Sequence, residues 1–317
     1  FSLAQIELNH VATLQPIDRD LRDFLIDRRA RNLTPASLSW YTRSLNIWRT
    51  FLAEQAITHT ESIDAGSVRR FLVWLTVRGH SAGGAANIYG AVKAFLKWYG
   101  SEYAPADWSD PLAHVKSPKR PDVVLEPLNL AHFTDMLKTC TRKTPLGDRD
   151  RALLLVLLDT GLRHQELTDL TISDIDLNTG AILVRSGKGR KWRTVFMGAT
   201  TRRALTVYLH YRSELAPGTP LWMTRSGTPL TRAGILQVVL RRARQAGVPR
   251  PGMHDFRRAF AVNYLRNGGD VATLQRLLGH TDLRVINRYL KLLNEDLQHA
   301  HEQYGPVDML RRRDSSK

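Results

Sequence analysis

Apolar positions that recur every three to four residues divide this chain into helical segments separated by short polar breaks. Four such segments fall within residues 17–103. They carry Leu21, Phe24, Leu25 and Ile26; Leu38, Tyr41, Leu45, Trp48 and Leu52; Val68, Phe71, Leu72 and Leu75; and Ile88, Val92, Phe95, Leu96 and Tyr99. Their ends are signalled locally: Thr34-Pro35 is a cap followed by proline at the first helical position, Ser81 introduces the fourth segment, and Gly79 closes the third. Residues 128–293 form a second run, with helices expected at 130–137, 148–158, 163–170 and about 200–215, and one from Thr231 to Gly247. The next is headed by His254 and stops at Gly268-Gly269, Asp270 caps another that Gly279 ends, and a last one starts near Asp282. The helical period lapses at Ala181–Val184 and Trp192–Phe196, which read as a β-hairpin, and at Leu221–Thr224, which reads as a short extended piece.

Between the two runs stand Pro105, Pro111, Pro118, Pro121 and Pro127. Repeated proline removes backbone donors and forbids a continuous helix, so residues 104–127 are expected to be an extended linker. Residues 1–16 show no clear period and read as a lead-in. Residues 294–317 are an expected tail that ends in Arg311-Arg312-Arg313 and polar residues, and a narrow apolar stripe of Leu292, Leu293, Leu297, Ala300 and Tyr304 runs into it. The fold class is mainly α with a small β-hairpin, in two domains.

Composition sharpens the partner rather than the fold. Lys and Arg number 46 against 30 Asp and Glu, a net charge of +16 over 317 residues, which calls for a polyanion. Nucleic acid is favoured over membrane because the longest purely apolar run, Ala152 to Leu158, is far short of a span. A single cysteine, Cys140, excludes an intrachain disulfide and fits a reducing cytoplasm. No signal-peptide pattern opens the chain, and a first residue of Phe1 rather than Met leads us to expect a trimmed start.

Candidate chemistry gathers in the second run. His254 and Arg257, three apart at the head of one helix, share a face; His280 follows the Leu277-Leu278-Gly279 turn, and Tyr289 lies on the next helix. Two imidazoles, a planar cationic fork and a phenol suit a phosphate. Upstream, Arg163 and Glu166 share a face of a short helix, and Lys188 sits in Gly187-Lys188-Gly189 at the hairpin turn. Taken singly, each is more often a structural or solvated residue. Together, Arg163, Lys188, His254-x-x-Arg257, Leu278-Gly279-His280 and Tyr289 resemble the signature of the tyrosine recombinases, the phage integrase family. Departures are His164-Gln165 after the first arginine and Arg258 after the second, where relatives often carry histidine.

That resemblance implies a C-shaped, two-domain DNA clamp in which a helical core-binding (SAM-like) domain, 17–103, precedes a catalytic domain, 128–293. It implies Tyr289 as the nucleophile that forms a 3′-phosphotyrosyl link, Arg163 and Arg257 on the non-bridging oxygens, and Lys188 as general acid. His254 and His280 assist at the phosphate and Glu166 holds Arg163 or His254 in place, with no metal and no nucleotide cofactor. The implied partners are a double-stranded target site and further copies of the chain, as a tetramer on two sites, with the tail of 294–317 exchanged between protomers; the place of action is the cytoplasmic nucleoid. The biology so implied is phage integration, transposon movement or chromosome-dimer resolution. Basic residues expected to touch DNA are Arg43, Lys93, Lys97, Lys119, Arg120, Arg190, Lys191, Arg241 and Arg242, the last two on the most basic helix of the chain. Competing readings are a type IB topoisomerase, a two-metal transposase using Asp148, Asp150, Asp159 and Asp174, and a DNA-binding protein without catalysis.

Overall fold

Helices α1 (Pro16–Ala30), α2 (Pro35–Glu54), α3 (Ala65–Val77) and α4 (Ala82–Glu102) bury the apolar stripes that predict them. The computed structural model describes residues 15–119, 126–185, 192–213 and 215–279, and the chain divides into two units, Phe1–Val123 and Val124–Lys317. The caps are where the sequence puts them: Thr34 Oγ1 accepts from the Ser37 amide at 3.3 Å and Ser81 Oγ from Gly84 at 3.1 Å. The first core is aromatic, with Phe24 edge-on to Tyr41, Phe95 and Trp98, and Trp48 against Phe51 and Phe71. Arg49 of α2 closes this unit by pairing with the buried Asp18.

The segment expected as linker is partly core. Leu112 and Val115 are buried with the first unit, Trp108 packs edge-on to Tyr99, and the Tyr89 hydroxyl donates to the Val115 carbonyl at 3.0 Å. Proline there rules out helix but leaves apolar side chains free to dock.

The second unit is built round α6 (Pro145–Thr160), whose Ala152 to Leu157 are all buried. A helix apolar on every side needs neighbours on every side. Packed on it are α8 (Ala199–Leu209), α9 (Arg232–Ala246), α10 (Met253–Arg266) and the hairpin strand β2 (Arg193–Phe196), while α5 (Leu130–Lys138) lies on α9. β2 pairs antiparallel with β1 (Ala181–Val184), Ile182 opposite Val195 and Val184 opposite Arg193. The short α7 (His164–Thr168) is tied down by Trp222, whose indole N–H donates to the Leu167 carbonyl at 3.0 Å. α11 (Val271–Leu278) contacts α10 and β2. Helix α8 stops at Leu209, short of the expected 215, because Arg212 donates to the carbonyls of Pro220 and Leu221 and holds the chain in a turn.

Arg241 and Arg242, both expected to touch DNA, pair with a buried acid, Arg242 from within the core and Arg241 from a partly exposed position. They do not present a free basic face: both donate to Asp150, which is wholly buried and also takes two bonds from Arg149. Arg242 is itself buried and donates further to the Thr139 carbonyl at 2.7 Å. A buried carboxylate must be neutralised, and this one is neutralised by three guanidiniums.

Candidate active site

Gly161 ends α6 in the left-handed conformation, φ +59°, and a Cβ there would lie 2.5 Å from Phe260 Cδ1, so only glycine makes this turn. Two residues later Arg163 caps α7. Its amide donates to Glu166 Oε2 at 2.8 Å, and its Nη1 donates to Glu166 Oε1 at 2.8 Å. An acid at the third helical position commonly satisfies the cap amide in this way; here it also grips the cap's side chain.

Arg257 sits one turn into α10, only 3% exposed, with Nη1 on the Gly161 carbonyl and Nη2 on the Leu278 carbonyl, each at 2.6 Å. The end of α11 receives two more arginines: Arg193 Nε donates to the Leu277 carbonyl at 2.7 Å and Arg163 Nη2 to the Gly279 carbonyl at 3.3 Å. The final carbonyls of a helix lack intrahelical partners and carry the negative end of its dipole, so cations from three different elements settle there. Gly279 is left-handed, φ +62°, and its missing Cβ leaves room for Arg193, whose Cδ would lie 3.0 Å away.

Arg193 completes the set from the hairpin. Its Nη1 and Nη2 donate to both oxygens of Glu166, at 2.8 and 2.6 Å. Burial alone would push the Glu166 carboxyl up, but hydrogen bonds from Arg193 and the Arg163 amide, with the Arg193 charge, hold it down at about 2. The sign follows: a carboxylate with a depressed folded pKa contributes stability above the ordinary glutamate range and loses it as pH falls through the folded value. That contribution is on the order of 3 kcal/mol. The stability gap between the wild type and Glu166→Gln is expected to shrink between about pH 5 and pH 2; thermal melts across that window check it, and a constant gap would refute the linkage.

His254 is exposed at the head of α10. Burial of part of its ring and the cations of Arg257, Arg258 and Arg163 hold its pKa below the usual histidine value. The imidazole is therefore neutral at neutral pH, able to accept a proton. His164 is neutral for similar causes, burial first and then the charge of Arg232, whose Nε donates to His164 Nδ1 at 3.2 Å.

Among the sequence candidates, Arg163 and Arg257 thus meet at the end of α11, Glu166 is bonded to Arg163, and His254 lies close enough to both arginines to feel their charge. Lys188, His280 and Tyr289 lie outside the described residues, as do Arg120, Arg190 and Lys191. Arg43 is exposed on α2, Lys93 and Lys97 are exposed on α4, and Lys119 is exposed after the proline-rich turns. The acids considered for metals have other employment: Asp148 accepts from Arg142 and Tyr211, Asp159 from the Gly198 amide, Asp174 from Thr171, and Asp150 is described above. Arg193 belongs to the cluster although no motif singles it out. Its signal was the strand alternation, since it lies two residues before the inward Val195 and so faces the core side of the hairpin.

A family model for the phage integrase family matches residues 127–296, and one for the phage integrase N-terminal SAM-like domain matches residues 20–102. The chain belongs to the phage integrase family, the tyrosine-type site-specific recombinases. It is similar to tyrosine recombinase XerC of Pelobacter propionicus, 30% identical over 300 residues that cover 92% of this chain and 97% of that protein. Tyrosine recombinase XerD of Staphylococcus haemolyticus is 28% identical over 281 residues, 87% of this chain and 94% of the relative. In fold it resembles the XerH site-specific recombinase bound to palindromic difH substrate in a post-cleavage complex, with a TM-score of 0.69 and 21% identity, covering 96% of this chain and 92% of that one. A lambda integrase dimer bound to a COC′ core site gives the same TM-score at 17% identity, covering 83% and 94%.

Proposed function

We propose that this protein cuts and rejoins strands of duplex DNA at a specific site through Tyr289. The observation that carries the reading is the convergence of Arg163 and Arg257 at the end of α11, one residue before His280, with His254 close enough to feel the charge of both. In the proposed step the Tyr289 oxygen attacks the phosphorus and loses its proton to the neutral His254. The bond to the 5′ oxygen breaks, and Lys188 supplies that oxygen with a proton. Arg163 and Arg257 hold the two non-bridging oxygens, where paired forks stabilise the charge that develops in the transition state better than point charges would. His280 donates to the same phosphate. The 3′-phosphotyrosyl bond conserves the energy of the broken ester, and the 5′ hydroxyl of another strand reverses the step.

The target is double-stranded DNA in the nucleoid, and the working assembly is a tetramer on two sites with the chain after residue 293 passing between protomers. The similar solved structures support the DNA partner and self-association, XerH being bound to its difH substrate and lambda integrase being a dimer on its core site. Arg43, Lys93, Lys97 and Lys119, with Arg120, Arg190 and Lys191, supply phosphate contacts.

The test uses a library of short duplexes of randomised core sequence, each nicked in one strand, incubated with the full chain in EDTA. Protein-linked DNA is recovered after denaturation, sequenced, and the modified peptide identified by mass spectrometry. A nucleotide remnant on Tyr289 is expected. A remnant on another residue, or binding with no adduct, overturns the reading.

A further inference from the structure

Glu166 poses an electrostatic problem for the site it braces. A carboxylate bonded to Arg163 alone would cancel the charge that Arg163 offers a phosphate. The bonds show how this is avoided: Arg163 gives Glu166 one side-chain hydrogen bond, whereas Arg193 gives it two, one on each oxygen. Arg193 is also the more enclosed cation, its side chain 12% exposed against 39% for Arg163 and 9% for Glu166. The inward-facing fork on β2 is thus the principal counter-ion of the carboxylate, and the outward Arg163 keeps its own charge.

We infer that Arg193 is a positioning residue for strand cleavage, neutralising Glu166 so that the full charge of Arg163 acts on the scissile phosphate while its Nε fixes the end of α11. The inference rests on Arg163 being a phosphate-binding guanidinium, as proposed above. Charge at the phosphate is worth more in the transition state, where the non-bridging oxygens gain negative charge, than in the bound ground state. Loss of Arg193 therefore lowers the cleavage rate more than it lowers DNA affinity. The same charge balance predicts rescue, since removing the carboxylate removes the need for its counter-ion.

The experiment measures single-turnover adduct formation and DNA affinity for Arg193→Gln, Arg193→Lys and the Arg193→Gln/Glu166→Gln pair, using the duplex recovered from the randomised library. Melting without DNA reports folding. Arg193→Gln is expected to slow cleavage by about 10²–10³-fold, with affinity changed by less than about tenfold. The double variant is expected to recover about tenfold or more over Arg193→Gln, and Arg193→Lys, which keeps the cation, to cleave faster than the glutamine variant. A merely structural brace predicts a double variant no faster than the single one, and that result, or lysine no better than glutamine, overturns the inference whatever the stability of Arg193→Gln. Wild-type adduct on Tyr289 with an unimpaired Arg193→Gln overturns this inference alone; no adduct in the wild type removes the proposed function and this inference with it.

Discussion

Arg257→Ala is expected to abolish measurable strand cleavage and to melt the second unit roughly 10 °C below the wild type. The side chain is buried and donates to two carbonyls from different elements, Gly161 at the end of α6 and Leu278 at the end of α11. Truncation strips both of this donor, at about 1–3 kcal/mol for each buried polar group left unsatisfied, and opens a cavity besides. On the proposed function cleavage falls for a separate reason, because one donor to a developing oxyanion contributes about 10²–10³ in rate. Arg257→Lys separates the two effects. A point charge reaches one carbonyl and returns part of the stability, but it cannot reproduce a planar fork, so cleavage stays low. Melting curves and single-turnover adduct formation are the measurements; an Arg257→Ala variant cleaving within about tenfold of wild type would remove Arg257 from the phosphate.

The second large effect falls on Asp150. Asp150→Asn leaves Arg149, Arg241 and Arg242 without their shared anion, two of them buried, and is expected to destabilise the second unit by about 3–5 kcal/mol. The same network makes a prediction about DNA. Arg242→Gln is expected to lower stability while leaving the slope of log affinity against log salt unchanged, since its guanidinium is spent inside the protein. A phosphate contact would instead lower that slope by about one. Equilibrium binding at a series of salt concentrations decides between them.

Helix boundaries were legible because their causes are local. Thr34, Ser81, Thr231 and Asp270 each cap within three residues, and Gly161, Gly247 and Gly279 each end a helix in the left-handed conformation. Partnership across the chain was not legible. Arg242 lies 92 residues from Asp150, and its place on a basic helix looks the same in sequence whether it faces solvent or a buried acid. Arg193 lies 27 residues from Glu166 and was hidden in a hairpin read for its lysine. Leu112 and Val115 were masked by the prolines around them, which forbid helix without forbidding burial. At the site, order and spacing exposed Arg163, Glu166, His254 and Arg257, but not that three guanidiniums meet at one helix end.

Four of the acceptors that orient these arginines are main-chain carbonyls, those of Gly161, Leu277, Leu278 and Gly279. Any amino acid supplies a carbonyl, so the exposed side chains of α11 are free to drift over evolutionary time provided the helix ends at the same point and Leu274 and Leu278 stay buried. Divergence to 28% identity from a relative is then compatible with an undisturbed arrangement of cations.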